Sequence, residues 1–301
     1  MGVVKMKAFI SVKNISKIIK EKEVLEAISF EINCGECVAL IGQNGAGKSS
    51  LLKCIIGDWN VNKGSIAIQQ LDHGQLKGKI AVLSQENTIP INLKVRELIT
   101  FFRSVASYPL SIDKVISYLG FDQEQYDDLA GKLSGGQRRL LAFVLCLIGQ
   151  PEILILDEPT AGMDTATRKR FWDIIGELKA QGVSILYSSH YIEEVEHTAD
   201  RILVLHKGHL IRDTTPYEMR HQEDKQVTLP LSYLEEIKER QDCYDIFLKK
   251  DCFQFRTKNL VVIWDKLFKE GLAITDIEIQ NKTLLDTLFE TTKEIEHESL
   301  A

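Results

Sequence analysis

The chain has 301 residues, of which 44% are hydrophobic and 27% charged, and its formal net charge is −6. This balance suits one large globular domain with a smaller one, and the acidic excess argues against nucleic acid as a partner. The six cysteines are scattered and fit reduced thiols in a cytosolic compartment.

The opening MGVVKMKAFI lacks an apolar core of signal-peptide length. AFISVKN and VLEAISFEI then alternate apolar and polar residues, which predicts antiparallel β-structure. CGEC (Cys34–Cys37) has thiol-redox spacing, but it falls in a turn before a strand and no second pair accompanies it, so a redox or metal role is set aside. CVALIG (Cys37–Gly42) reads as a buried strand. It runs into GQNGAGKSS (Gly42–Ser50) and then the helical pattern SLLKCIIG. Strand, G-x-x-x-x-G-K-[ST] spacing and helix together are what a phosphate loop requires. Gly42, Gly45 and Gly47 let the backbone curl so that N–H groups point inward at phosphate oxygens, flanked by Gln43, Asn44, Ala46 and Ser50. Lys48 reaches the β- and γ-phosphates, and the Ser49 hydroxyl is placed to bind Mg²⁺.

IAVLSQ (Ile80–Gln85) is a further strand, with Gln85 at its end. From residue 86 to about 140 no buried strand is evident. LKVRELITFFRSVA and SIDKVISYLG predict helices, so this stretch reads as a helical insert. Next comes LSGGQRR (Leu133–Arg139), ahead of an apolar run. Ser134 can cap the helix that begins there, Gly135 and Gly136 leave its start open, and the free N–H groups, with Gln137, make a second anion site. LLAFVLCLIG has ten residues, against about 20 for a membrane span.

EILILDE (Glu152–Glu158) and VSILYSS (Val183–Ser189) lack polar alternation, as expected of parallel strands covered on both faces. Asp157 ends its strand, a position suited to holding Mg²⁺. Glu158 would point the other way if the strand persists, free to activate water. RILVLHKG (Arg201–Gly208) is a last core strand. After about residue 218 the character changes, and 219–301 read as a small α+β accessory domain behind a nucleotide-binding domain over 1–218.

Taken in order, Gly42–Ser49, Gln85, Leu133–Gln137, Asp157–Glu158, Asp164 and His190 resemble the motif series of ATP-binding cassette (ABC) ATPases, over about residues 7–215. The resemblance implies a P-loop α/β core with a mostly parallel sheet, an antiparallel β subdomain and the helical insert. It implies that Gln85 touches Mg²⁺ and the attacking water, that His190 contacts the γ-phosphate, and that Asp164 works across a dimer interface. It also answers why one chain carries two phosphate loops: Ser134–Gln137 would read ATP held by a second cassette, in a homodimer or a heterodimer. Ala161 and Met163 depart mildly from the family's serine and leucine. Ile19 stands where the family places an aromatic residue on the adenine, which predicts weaker or less selective base binding.

The implied activity is Mg²⁺-dependent ATP hydrolysis driving separate membrane permease subunits, with the chain peripheral on the cytoplasmic face of the membrane. Ile89, Pro90, Ile91 and Leu93 are the expected permease contacts. The end of the chain, with Leu284-Leu285-Asp286 and Leu288-Phe289, resembles ABC-2 type exporter ATPases and points to export of a drug, peptide or lipid-like substrate. The alternative is a soluble ABC ATPase acting as a nucleotide-dependent switch outside transport.

Overall fold

The computed structural model describes residues 8–68, 78–86, 89–220 and 225–281. The chain divides into two compact units, Met1–Asp213 and Thr214–Ala301. The tail residues 282–301, which carry the exporter resemblance, lie outside the described residues.

In the first unit, β1 (Ala8–Ile19) and β2 (Lys22–Asn33) form a long antiparallel hairpin. Its two-residue turn, Lys20-Glu21, has positive φ at both positions, the geometry that matches the twist of paired strands. The inward side of β2 is apolar and buried, with Leu25, Ile28, Phe30 and Ile32. β3 (Cys37–Ile41) is buried throughout and runs into α1 (Lys48–Ile55). β4 (Lys63–Ile68) returns to pair with β1, giving a three-stranded sheet ordered β2-β1-β4.

β5 (Ile80–Leu83) leads to the helical segment: α2 (Val95–Val105), α3 (Ile112–Leu119), the short α4 (Gln123–Asp127) and α5 (Gly135–Leu147). Ser111 and Gly120 bracket α3. The serine side chain caps its first turn, and the glycine takes the left-handed conformation that closes the last. β6 (Ile153–Leu156), α6 (Thr165–Ala180), β7 (Ser184–Ser189), α7 (Ile192–Thr198), β8 (Arg201–His206) and β9 (His209–Thr214) complete the unit. The second sheet is ordered β5-β6-β7-β3-β8-β9. The pairs β5–β6, β6–β7, β7–β3 and β3–β8 are parallel. β6 and β7 are buried along their whole length, which is why their sequences lack alternation.

Two cores result. One lies between the two sheets and α1, around Ile10, Leu40, Leu51, Ile155 and Leu203. On another side α5 packs against α6, where the fully buried rings of Phe143 and Phe171 meet with centroids 4.4 Å apart. The helix α5 therefore begins in the insert and ends as part of the core, with Leu140–Leu145 buried without a break.

In the second unit α8 (Pro216–Arg220) opens with a reciprocal cap: Thr215 Oγ1 accepts from the Glu218 N–H, and Glu218 Oε2 accepts from the Thr215 N–H. That cap ties Thr214 and Thr215 to α8. β10 (Lys225–Pro230), α9 (Leu234–Lys238), β11 (Cys243–Leu248), β12 (Cys252–Thr257), α10 (Leu260–Lys269) and β13 (Glu278–Asn281) come after it. The succession βαββαβ with an antiparallel sheet ordered β11-β12-β10-β13 is the ferredoxin-like arrangement. Its core is built from Val227, Leu229, Phe253, Phe255, Ile263 and Leu267.

Replacing Phe143 with Ala removes a ring that is fully enclosed, and large-to-small changes of this kind cost about 3–5 kcal/mol. Urea denaturation of the Phe143→Ala variant is expected to show a matching fall in the midpoint of the first unit. A shift under about 1 kcal/mol would mean that the α5–α6 contact is not a core contact.

Candidate functional site

Four adjacent parallel strands, β5, β6, β7 and β3, end on the same side of the sheet, and each delivers one predicted segment. The carboxyl ends of strands in such sheets are where ligands bind, because the connecting loops diverge there. After β3 comes the glycine loop. A Cβ at Gly42 would meet the Leu205 carbonyl oxygen at 2.2 Å, and one at Gly47 would meet the Val24 oxygen at 2.9 Å. Gly47 also has φ +106 and precedes α1 directly. These two glycines are therefore required by the loop's packing on its own chain, while Gly45, with φ +83, faces open space. Gln43 and Ala46 close the turn through the Ala46 N–H to Gln43 oxygen bond, with Asn44 exposed at its tip.

Lys48 is the first residue of α1, with the half-buried Ser49 and Ser50 beside it. Its ammonium donates to the carbonyls of Gly42 at 2.7 Å and Gln43 at 3.2 Å. Burial pushes the Lys48 pKa down, and the carboxylates of Glu158 and Asp157 oppose that shift. The lysine and the two acidic residues thus share one electrostatic environment.

The Asp157–Glu158 pair corrects the geometry expected from an extended strand. β6 stops at Leu156, and Glu158 takes the left-handed conformation with φ +45. The two carboxylates are separated by this bend, not by strand alternation. Asp157 Oδ1 accepts from Ser188 Oγ at 2.6 Å, and the same hydroxyl accepts from the Glu158 N–H at 2.9 Å. Glu158 Oε2 lies 3.3 Å from His190 Nδ1, just past the end of β7. β5 likewise ends earlier than expected, at Leu83, so Gln85 sits in an exposed turn. Ser49, Gln85 and Asp157 line one cavity of about 270 Å³, together with Lys53, Leu52 and Val82.

One residue that sequence reasoning missed holds the chain just past both strand ends. Arg139, in α5, is buried and donates to five backbone carbonyls: Ser84 and Gln85 after β5, and Asp157, Glu158 and Pro159 after β6. Burial pushes the Arg139 pKa down, offset in part by Asp157, Cys146 and Glu158. In the sequence Arg139 is one of two adjacent arginines at the head of a helix whose later residues are apolar.

Ser134 caps α5 as expected: its Oγ accepts from the Gln137 N–H, and Gln137 Oε1 accepts from the Ser134 N–H. Gly135 faces open space, whereas a Cβ on Gly136 would lie 3.0 Å from the Met163 Cα. The second glycine is thus needed inside the chain, to let α5 rest on the turn before Asp164. Asp164 caps α6, accepting from the Ala166 and Thr167 N–H groups and the Thr167 hydroxyl, and the Thr167 backbone bond leads in holding its pKa down. Ile19 is the half-buried last residue of β1, paired with Lys22. Ile91 and Leu93 are exposed while their carbonyls accept from Gly131 and Ala130, so these side chains are presented outward by a paired backbone. In CGEC, Cys34 is exposed but burial pushes the Cys37 thiol up to about 12, a thiol without nucleophilic character at neutral pH. Among the described residues, no three His, Cys, Asp or Glu side chains cluster as metal ligands. No described helix is long and apolar enough to cross a membrane.

Residues 25–161 match the family model described as ABC transporter. The chain is 34% identical over 218 residues to Nod factor export ATP-binding protein I of Neorhizobium galegae, covering 70% of this chain and 63% of that relative's length. It is 35% identical over 208 residues to an uncharacterized ABC transporter ATP-binding protein of Methanocaldococcus jannaschii, covering 67% of this chain and 76% of the relative. Among solved structures, an ATP binding subunit of an ABC transporter superposes with a TM-score of 0.63 at 26% identity, over 71% of this chain and 92% of that one. A dimeric cassette in a post-hydrolysis state bound to ADP and Pi shares the fold, with a TM-score of 0.60 at 22% identity over 69% of this chain and 98% of that one.

An Arg139→Met change keeps the apolar stem but strands five carbonyls. It is expected to lower stability by at least about 3 kcal/mol, read from the urea midpoint. A variant as stable as the parent would show that water replaces the guanidinium without cost.

Proposed function

Since the chain belongs to the ABC transporter family of ATP-binding subunits, we propose that it hydrolyses ATP at the ends of β3, β5, β6 and β7 and that this drives a membrane permease. The observation that carries the reading is the convergence of Lys48, Ser49, Gln85, Asp157, Glu158 and His190 on one side of one sheet.

The residues divide the work. The curled loop from Gly42 to Gly47 and the start of α1 present N–H groups to the phosphates. Lys48, now held by two loop carbonyls, exchanges those acceptors for phosphate oxygens. The hydroxyl of Ser49, the carboxylate of Asp157 and the amide oxygen of Gln85 border one cavity and are hard oxygen donors, the set that suits Mg²⁺ with substrate phosphates completing its shell. Bound there, the ion would neutralise charge on the β- and γ-phosphates. Glu158 accepts the proton of the attacking water, and its contact with His190 keeps the carboxylate oriented. His190, 41% exposed at its side chain, is open on the side where the γ-phosphate would lie.

Ser134, Gly135, Gly136 and Gln137 complete the site of a second cassette. The bonds of Ser134 and Gln137 are to each other, and Gly135 is open, so the start of α5 is presented outward. Asp164 lies beside it on the turn that Gly136 supports. Ile19, without an aromatic face, leaves the phosphates to supply most of the affinity. Exposed Ile91 and Leu93, with Pro90 and Ile89, form the permease-facing edge of the insert. We assign residues 214–301 to an accessory domain. The name of the Neorhizobium galegae relative, an export ATP-binding protein, supports export as the direction, and we place the chain peripherally on the cytoplasmic face of the membrane.

A Glu158→Gln variant keeps nucleotide binding and loses the base. Light scattering is expected to show its mass double on adding Mg-ATP; a monomer with ATP bound would place the partner loop on another protein. Lys48→Ala should cut multi-turnover phosphate release at least about 100-fold. Near-parental turnover in that variant would sink the site assignment.

A further inference from the structure

Glu194 lies in α7, just after His190, and its side chain is only 9% exposed. A carboxylate this deep needs compensation. It accepts from Thr160 Oγ1 at 3.0 Å and forms an ion pair with Arg168 Nε at 3.2 Å. Burial pushes its pKa up, while Thr160, Trp172, Arg168 and His190 hold it down.

Arg168 reaches in three directions. Besides Glu194, its guanidinium lies over the Tyr191 ring, 4.7 Å from the centroid, and its Nη2 donates to the Met163 carbonyl at 3.4 Å. The Tyr191 ring in turn rests on the His190 imidazole, with centroids 4.0 Å apart. These contacts close a loop through three segments: Glu158–Thr160, Met163–Arg168 and His190–Glu194. A planar guanidinium can stack and pair at once, which an ammonium cannot. The side chains of this pair contact Thr160, Met163, Trp172, Tyr191 and each other, and none of these belongs to the Lys48 loop.

We propose that Arg168 and Glu194 are positioning residues that hold His190 and Glu158 in register with the turn carrying Met163 and Asp164. A second cassette that touches Asp164 thereby meets a hydrolytic pair already aligned, without any direct contact between Arg168 or Glu194 and the nucleotide. The positioning role rests on the assignment of ATP hydrolysis to this site.

The test uses the full chain, with Arg168→Met, Glu194→Gln and the double variant. Steady-state hydrolysis of Mg-ATP should show kcat lowered about tenfold in each single variant, with KM changed by less than about twofold, because nucleotide binding and alignment are separate. The double variant should match the single ones within about twofold, since one linkage is cut in all three. The His190 ring proton signals, assigned through His190→Gln, should shift in each, as the Tyr191 ring loses its fixed place. Parental kcat, a KM that rises as kcat falls, multiplying losses in the double variant, or an unmoved His190 signal would each overturn the inference. Lys48→Ala, measured alongside, separates the two readings. If Lys48→Ala retains turnover, the site reading fails. If it is inactive while the pair variants equal the parent, only the positioning role fails.

Discussion

The buried guanidinium of Arg139 is the interaction on which the site's shape depends. It sits at the head of α5 and takes the carbonyls just beyond β5 and β6. A charged group in an apolar surrounding is tolerated only when its donors are satisfied, and here backbone oxygens satisfy them. The chain leaves the sheet at Leu83 and Leu156, and Arg139 fixes the bends beyond, which carry Gln85, Asp157 and Glu158. Ser134 caps the same helix, so the outward-facing start of α5 is tied through Arg139 to the segments that carry Gln85, Asp157 and Glu158.

Coupling between these segments runs through glycine and through short polar side chains. Gly136 lets α5 rest within contact of Met163, and Ser188 bridges Asp157 to the backbone of Glu158. Each contact leaves little slack. A methyl on Gly136 would press on backbone, which cannot swing aside as a side chain can. Through α5 the insert and the strand ends, Glu158 included, are thus joined by direct contacts.

Much of this was legible in the sequence, for physical reasons. The runs ILIL and SILYSS, without polar alternation, announced strands covered on both faces, and the segments carrying Asp157–Glu158 and His190 came directly after them. Parallel strands place their carboxyl ends together, so motifs far apart in the chain had to meet. What the sequence concealed were consequences of backbone competition. Strand alternation assigned Glu158 and Asp157 to opposite faces, but a left-handed residue at Glu158 does the separating. Nothing in the neighbours of Arg139 marks the carbonyls it binds, because they come from segments far away in the chain. The ferredoxin-like order of the second unit was hidden for a similar reason: strand order is set by long-range pairing, while periodicity reports only that strands and helices alternate.

The two phosphate-type loops differ in how they are built, and the difference assigns them to different tasks. The loop at Gly42–Ser49 is enclosed: its glycines touch Leu205 and Val24, its lysine is buried, and carboxylates face it from the next strands. Such a loop can grip a ligand within its own chain. The loop at Ser134–Gln137 spends its side chains on each other, leaves Gly135 uncovered, and rests on a turn whose aspartate is consumed by capping α6. It offers N–H groups outward and contributes no charged side chain to catch a phosphate alone. An outward, weakly attracting loop gains a strong ligand only when another protein carries that ligand to it. Its construction therefore suits the proposed reading, in which this loop meets nucleotide held by a second cassette.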